Sequence, residues 1–255
     1  RIEVSNNLEW IQQNYGDRNS TNNDQLYVHL TNNLDNFLYS HTFENEFISG
    51  IIFIPKKSII NFYDDDLNNI SYIPSNINVY KNSILVKENY PNIIPEWLNF
   101  IYGIIEINDY KLNISKDTIL SIDDISNQLT HIILNLLSNL DKDLNNSINL
   151  SYSFYLKMGL CLDNRYEKEL LSILKFKNNK NDLLLPIGDF VNTNNEILYF
   201  KINKSGSSPF LEKYLCNEHI ILLLEHPIDD YIIRFFSKYT MINIIHNLDT
   251  TNISF

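Results

Sequence analysis

The chain has 255 residues, 44% hydrophobic and 20% charged, with 20 basic side chains against 31 acidic ones and a formal charge of −11. That apolar fraction suits a packed core in one large domain or two to three small modules, and it excludes a disordered or collagen-like chain. The acidic balance argues against nucleic acid, because phosphate binding needs clustered Lys and Arg and the densest basic spots are isolated pairs such as Lys56-Lys57.

In chain order, the first predicted elements are strands over Phe47 to Ile54, Asn78 to Val86 and Phe100 to Ile107. A helix is predicted over Asp124 to Leu140, where Ile125, Leu129, Ile132, Ile133, Leu136, Leu137 and Leu140 fall on one stripe. The segment Asp141 to Leu150 reads as a polar connector. A second helical stripe uses Tyr166, Leu170, Leu171 and Leu174. Next come a strand over Glu196 to Ile202 and a short helix over Ser208 to Tyr214, with Ser208 as N-cap and Pro209 at the first helical position. The run Ile220 to Leu224 is short and continuously apolar, as a strand buried on both faces should be. Pro227 opens a helix whose Ile228, Tyr231, Ile232, Phe235, Phe236 and Tyr239 share a face, with Asp229 and Asp230 in the first turn where the helix dipole favours them. Met241 to Ile245 closes the series as a strand. Strand, helix, strand, helix, strand implies a small parallel sheet with crossover helices.

Three modules are therefore expected in an α/β protein: a larger mixed unit over 1–145, a helical connector over 146–180 and a small parallel-sheet unit over 181–255.

The six glycines, at 16, 50, 103, 159, 188 and 206, are too scattered to build a phosphate cradle, so neither a P-loop nor a dinucleotide fingerprint is present. Ser205-Gly206-Ser207 is only a distant approach to a nucleophile elbow and reads as a turn. His219 and His226 flank one predicted strand, roughly 20 Å apart at 3.3 Å per residue, which is too far to share a metal. Asp64-Asp65-Asp66 reads as a solvated charge run, and no metal is expected. Two cysteines, Cys161 and Cys216, read as buried spectators in a reducing compartment. The longest apolar runs fall far short of the roughly 20 residues that cross a membrane, so a soluble chain without membrane contact is expected. With 39 Asn, 38 Ile and no Ala, the composition looks like the drift of an AT-rich genome, which dilutes other compositional signals. Starting at Arg1 and ending at Phe255, the chain reads as an excised piece of a longer one.

Residues 93–116 add a specific pattern. Ile93-Ile94-Pro95-Glu96-Trp97-Leu98-Asn99-Phe100-Ile101-Tyr102-Gly103-Ile104-Ile105-Glu106, followed by Leu112-Asn113-Ile114-Ser115-Lys116, closely resembles the middle domain of the heat-shock protein 90 chaperone family. Further matches keep the family's order: Phe53-Ile54-Pro55-Lys56, Val79-Tyr80, Lys157-x-Gly159 with Asp163, Ser207-Ser208-Pro209-Phe210-Leu211-Glu212, and Pro227-Ile228-Asp229-Asp230-Tyr231. The resemblance implies a layered αβα domain, a coil of short helices and a second small αβα domain. It also implies an upstream ATP-binding domain and a downstream dimerisation domain, a homodimer at full length, client proteins and co-chaperones as partners, and ATP with Mg held mainly by the upstream domain.

In the family, the Arg of the Leu-Asn-x-Ser-Arg motif reaches the γ-phosphate and a Gln four residues later also approaches the nucleotide. Here those positions are Lys116 and Leu120, with Asn113 and Ser115 positioning the loop. Lysine keeps the charge but loses the planar fork that grips phosphate at two points, and leucine cannot replace an amide. Two functions stay open: an ATP-dependent chaperone segment in which Lys116 completes a split ATPase, or a scaffold that binds clients or co-chaperones without coupled hydrolysis. The isolated segment is expected to be inactive. Client contact in the family implies a role for Ile60, Phe62, Tyr63 and Leu85. The divergence leans toward an organellar member, in mitochondrion or plastid, over a cytoplasmic one.

Overall fold

The computed structural model describes residues 20–32, 36–57, 75–108, 121–181, 183–192, 196–201, 220–233 and 243–247. The chain forms two compact units, 1–133 and 134–255.

In the first unit, helix α1 (Ser20–Thr31) precedes a five-stranded sheet of β1 (Phe37–Glu44), β2 (Ile48–Pro55), β3 (Asn76–Lys81), β4 (Ile84–Lys87) and β5 (Tyr102–Ile107), in the order β1-β2-β5-β3-β4. Asn45 makes the first hairpin, its Oδ1 accepting from the Phe47 and Ile48 amides at 2.9 and 2.8 Å. Strand β5 is central, antiparallel to β2 and parallel to β3. Six of the eight β2 residues are buried in an unbroken run from Gly50 to Pro55, so both faces of this strand are covered. One face carries Ile51, Phe53 and Ile104, against which α1 sets Leu26 and Tyr27. The rings of Tyr27, Phe37 and Phe53 pack edge-on or tilted, with centroids 5.2–5.6 Å apart.

The expected single strand over Asn78 to Val86 is in fact a hairpin. Asn82 and Ser83 both take left-handed backbone, φ 50° and 62°, which closes a tight turn between β3 and β4. Asparagine tolerates that conformation, and this is the signal the apolar run concealed. The chain then passes a short 3-10 turn, Glu96–Leu98, whose Trp97 and Leu98 are buried. Thus the most specific stretch of the sequence is largely core packing.

Helix α2 (Ile122–Ser138) carries the predicted stripe, with Ile125, Leu129, Ile133 and Leu137 buried. The polar connector expected over 141–150 is instead the first half of a 21-residue helix, α3 (Lys142–Leu162). Asp141 caps it, accepting from the Asp143 and Leu144 amides. Three of its polar residues, Asn145, Asn149 and Lys157, are buried. Asn149, 2% exposed, donates to the Ile173 carbonyl at 2.9 Å and accepts from the Lys175 amide at 2.8 Å, so it terminates the next helix, α4 (Glu167–Ile173). A polar pattern can therefore be a buried face when its partners come from elsewhere in the chain.

The second sheet runs β6-β8-β7-β9, from β6 (Lys177–Asn178), β7 (Glu196–Lys201), β8 (Leu222–Leu224) and β9 (Asn243–Asn247). Both β8 and β9 are parallel to β7, the arrangement expected from alternating strands and helices, while β6 adds an antiparallel edge. After β8 the chain turns at His226–Ile228 and is helical over 229–233. The helix expected over Ser208 to Tyr214, the Asp64–Asp66 run and Cys216 lie outside the described residues. Cys161, in the last turn of α3, is exposed rather than buried. Desolvation and the charge of Asp229 nonetheless raise its thiol pKa above the usual value.

Candidate functional sites

Parallel strands β3 and β5 finish at the same end of the first sheet, Lys81 beside Ile107. There Glu106 accepts a hydrogen bond from the Ser83 amide at 2.9 Å, clamping the left-handed turn of the β3–β4 hairpin to the central strand. Just beyond, the Asn108 amide donates to the Phe47 carbonyl at 2.8 Å. On the far side of residues 109–120, Ser121 and Asp124 cap α2 reciprocally. Asp124 Oδ2 accepts from the Ser121 amide at 3.1 Å and from its hydroxyl at 2.8 Å, while Ser121 Oγ accepts from the Asp124 amide at 3.2 Å. Asn113, Ser115, Lys116 and Leu120 fall between these two anchors and lie outside the described residues, as do Ile60, Phe62 and Tyr63.

Leu85 is described, and it is half-buried against the core cluster of Leu26, Tyr27 and Phe53. Its neighbours Ile84 and Val86 are 70% and 53% exposed. Strand alternation explains the difference, since one side chain points to the core and its two neighbours point away. The pairing between β3 and β4 is irregular here, Val79 opposing Lys87 while Tyr80 opposes Leu85. Val86 is thus the extra residue of a bulge on the edge strand, a feature that discourages further strand pairing and leaves the side chains as the exposed apolar surface. Sequence reasoning selected Leu85 and passed over these two, because period-2 alternation does not say which face is covered.

In the second unit, two segments that carried the family resemblance meet. Lys157 Nζ lies 2.6 Å from Asp229 Oδ1, with 6% and 1% of the two side chains exposed. The other carboxylate oxygen, Oδ2, accepts from the Glu225 and His226 amides at 2.9 and 3.0 Å. The ammonium also lies 5.3 Å from the centroid of the Phe176 ring. One carboxylate therefore holds α3 to the turn after β8 and closes that turn at once. Asp230 pairs outward with Lys201 of β7 at 2.5 Å. His226 packs at a tilt against Phe154, with ring centroids 6.1 Å apart. Burial is the main influence lowering its pKa, followed by Lys157, against the opposite pull of Asp229 and Glu225. Among the described residues, no group of three or more His, Cys, Asp or Glu side chains converges to hold a metal, and no helix is long and apolar enough to cross a membrane.

Comparison with known proteins agrees with this architecture. The Hsp90 protein family model matches residues 7–251. A chaperone protein HtpG of Desulfitobacterium hafniense is 24% identical over 235 residues, covering 84% of this chain and 37% of that protein. An HtpG of Ehrlichia canis is 31% identical over 195 residues, 65% of this chain and 31% of the relative, and an endoplasmin homolog of Caenorhabditis elegans is 24% identical over 201 residues, 74% and 26% respectively. The middle domain of a Plasmodium falciparum heat shock protein superposes with a TM-score of 0.69 at 17% identity, covering 95% of this chain and all of that one. The chain belongs to the Hsp90 family and has the α/β fold of its middle domain. It spans about a third of the length of the curated relatives it matches.

Proposed function

We propose that this chain is the middle segment of an ATP-dependent chaperone, which binds client proteins and completes the split ATPase site of an upstream nucleotide-binding domain. The observation that carries this reading is the family match across residues 7–251, together with the motif Leu112-Asn113-Ile114-Ser115-Lys116. The donors in that motif, an amide, a hydroxyl and an ammonium, suit phosphate oxygens, and ATP with Mg would be held mainly by the upstream domain. A cation aimed at the γ-phosphate stabilises the charge that develops during transfer. Lys116 fills that role as a point charge. The partners are the upstream domain, a downstream dimerisation domain that makes the full-length protein a homodimer, client proteins and co-chaperones. We place the protein inside the cell, in the cytoplasm or an organelle.

Client contact is assigned to Ile84 and Val86 on the outer face of β4 and, from the family resemblance, to Ile60, Phe62 and Tyr63, while Leu85 supports the strand from beneath. Exposed apolar side chains beside charge make an adaptable partner surface.

The test is steady-state ATP hydrolysis by the full-length protein. Lys116→Ala is expected to lower turnover at least tenfold, with nucleotide affinity little changed. Unaltered turnover would sink the assignment. A second reading, a scaffold that binds clients without hydrolysis, is favoured by Leu120 in place of an amide. It predicts full-length turnover no higher than background and client binding that is indifferent to nucleotide.

A further inference from the structure

The turn after β8 is held by a set of charges that is already balanced. Asp229 is matched by Lys157, and Glu225 by Lys177 at 2.8 Å. Asp229 is already engaged at both oxygens, Oδ1 by the Lys157 ammonium and Oδ2 by two backbone amides. His226 sits inside this set, 13% exposed, with Nδ1 4.0 Å from Asp229 Oδ2 and its ring against Phe154. A proton on the imidazole would add a cation next to the buried Lys157–Asp229 pair, where water screens little, while the Lys177–Glu225 pair stands nearer solvent.

We infer that His226, Lys157 and Asp229 form an acid-sensitive latch, which holds the turn at 225–228 and the helix beginning at 229 against α3 while the imidazole is neutral and loosens when it is protonated. The charges that act on the imidazole are those of Lys157 of α3, Lys177 of β6, Glu225 and Asp229, with Asp229 at 4.0 Å. Opening this segment exposes Ile232 and Ile233, which are now buried, beside Tyr231, which is already 64% exposed. Acid would therefore uncover apolar surface on the second unit.

The direction follows from linkage. The folded imidazole has a pKa below its unfolded value of 6.5, so the open form takes up the proton more readily. The contribution of His226 is present above about pH 6.5 and is lost as pH falls toward the folded value. Hydrogen exchange of residues 225–233 in the whole chain, corrected for the intrinsic pH dependence of exchange, tests this. Between pH 7.5 and 5.5 the opening constant is expected to rise by up to about tenfold, the limit for one proton with an unfolded pKa near 6.5. His226→Gln should remove that rise. An opening constant that stays level in the native chain, or rises equally in His226→Gln, would overturn the latch. Should that variant fold poorly, NMR titration of the native His226 ring decides, because a pKa at or above 6.5 contradicts it.

Discussion

Lys157 of α3 and Asp229 at the start of the helix after β8 form a buried ion pair 2.6 Å long, which ties together two segments distant in sequence. Removing either partner leaves a charge in a poorly solvated site. Lys157→Met or Asp229→Leu alone is expected to destabilise the second unit by about 3–5 kcal/mol. The double variant removes both charges but still leaves the Glu225 and His226 amides without their acceptor, so it should recover only part of that loss. Urea denaturation of the four proteins checks it, and a double variant no better than the worse single would contradict the account.

Gly103, in the motif that carries the family resemblance, is a packing requirement. A Cβ there would stand 2.6 Å from the Ile51 carbonyl oxygen and 3.1 Å from Ile52 Cγ2, where β5 and β2 run side by side. Gly103→Ala should destabilise the first unit by about 1–3 kcal/mol, because a backbone oxygen cannot swing aside. Gly188 has nothing within 4 Å of the same added atom. Gly188→Ala should leave stability unchanged or raise it by up to about 1 kcal/mol, and chemical denaturation of both variants separates the cases.

Ile84 and Val86 contribute little to the core, so Ile84→Ser and Val86→Ser should shift stability by no more than about 0.5 kcal/mol each. If they contact clients, the double variant should bind a reduced, unfolded protein about fivefold more weakly, as expected for roughly 1 kcal/mol of lost apolar contact. Leu85→Ser is the contrast. It should weaken the core by about 1–2 kcal/mol, since that side chain packs against the Tyr27–Phe53 cluster. Unchanged affinity in the double variant would remove these residues from the client surface.

The elements legible in advance were those whose own side chains repeat with a clear period. Strands β2 and β5, helix α2 and the parallel order of β7, β8 and β9 are of this kind. Helix α1 and strand β1 were not foreseen, and two further elements were misread because distant partners decide them. Residues 141–150 look like a connector because Asn145 and Asn149 are polar, yet Asn149 is buried to complete backbone groups at Ile173 and Lys175. The left-handed pair Asn82 and Ser83 divides one apolar run into a hairpin, and the Glu106 carboxylate that supports the turn comes from another strand.

The sequence alone was enough to point to the family and to exclude a glycine-rich phosphate loop, because each of these is a matter of which residues stand in a recognisable motif. Tertiary structure alone decided that Lys157 meets Asp229, that His226 sits within a balanced set of charges and that Ile84 and Val86 face outward while Leu85 faces in. Burial and charge balance depend on neighbours brought from other parts of the chain, and local spacing does not name those neighbours.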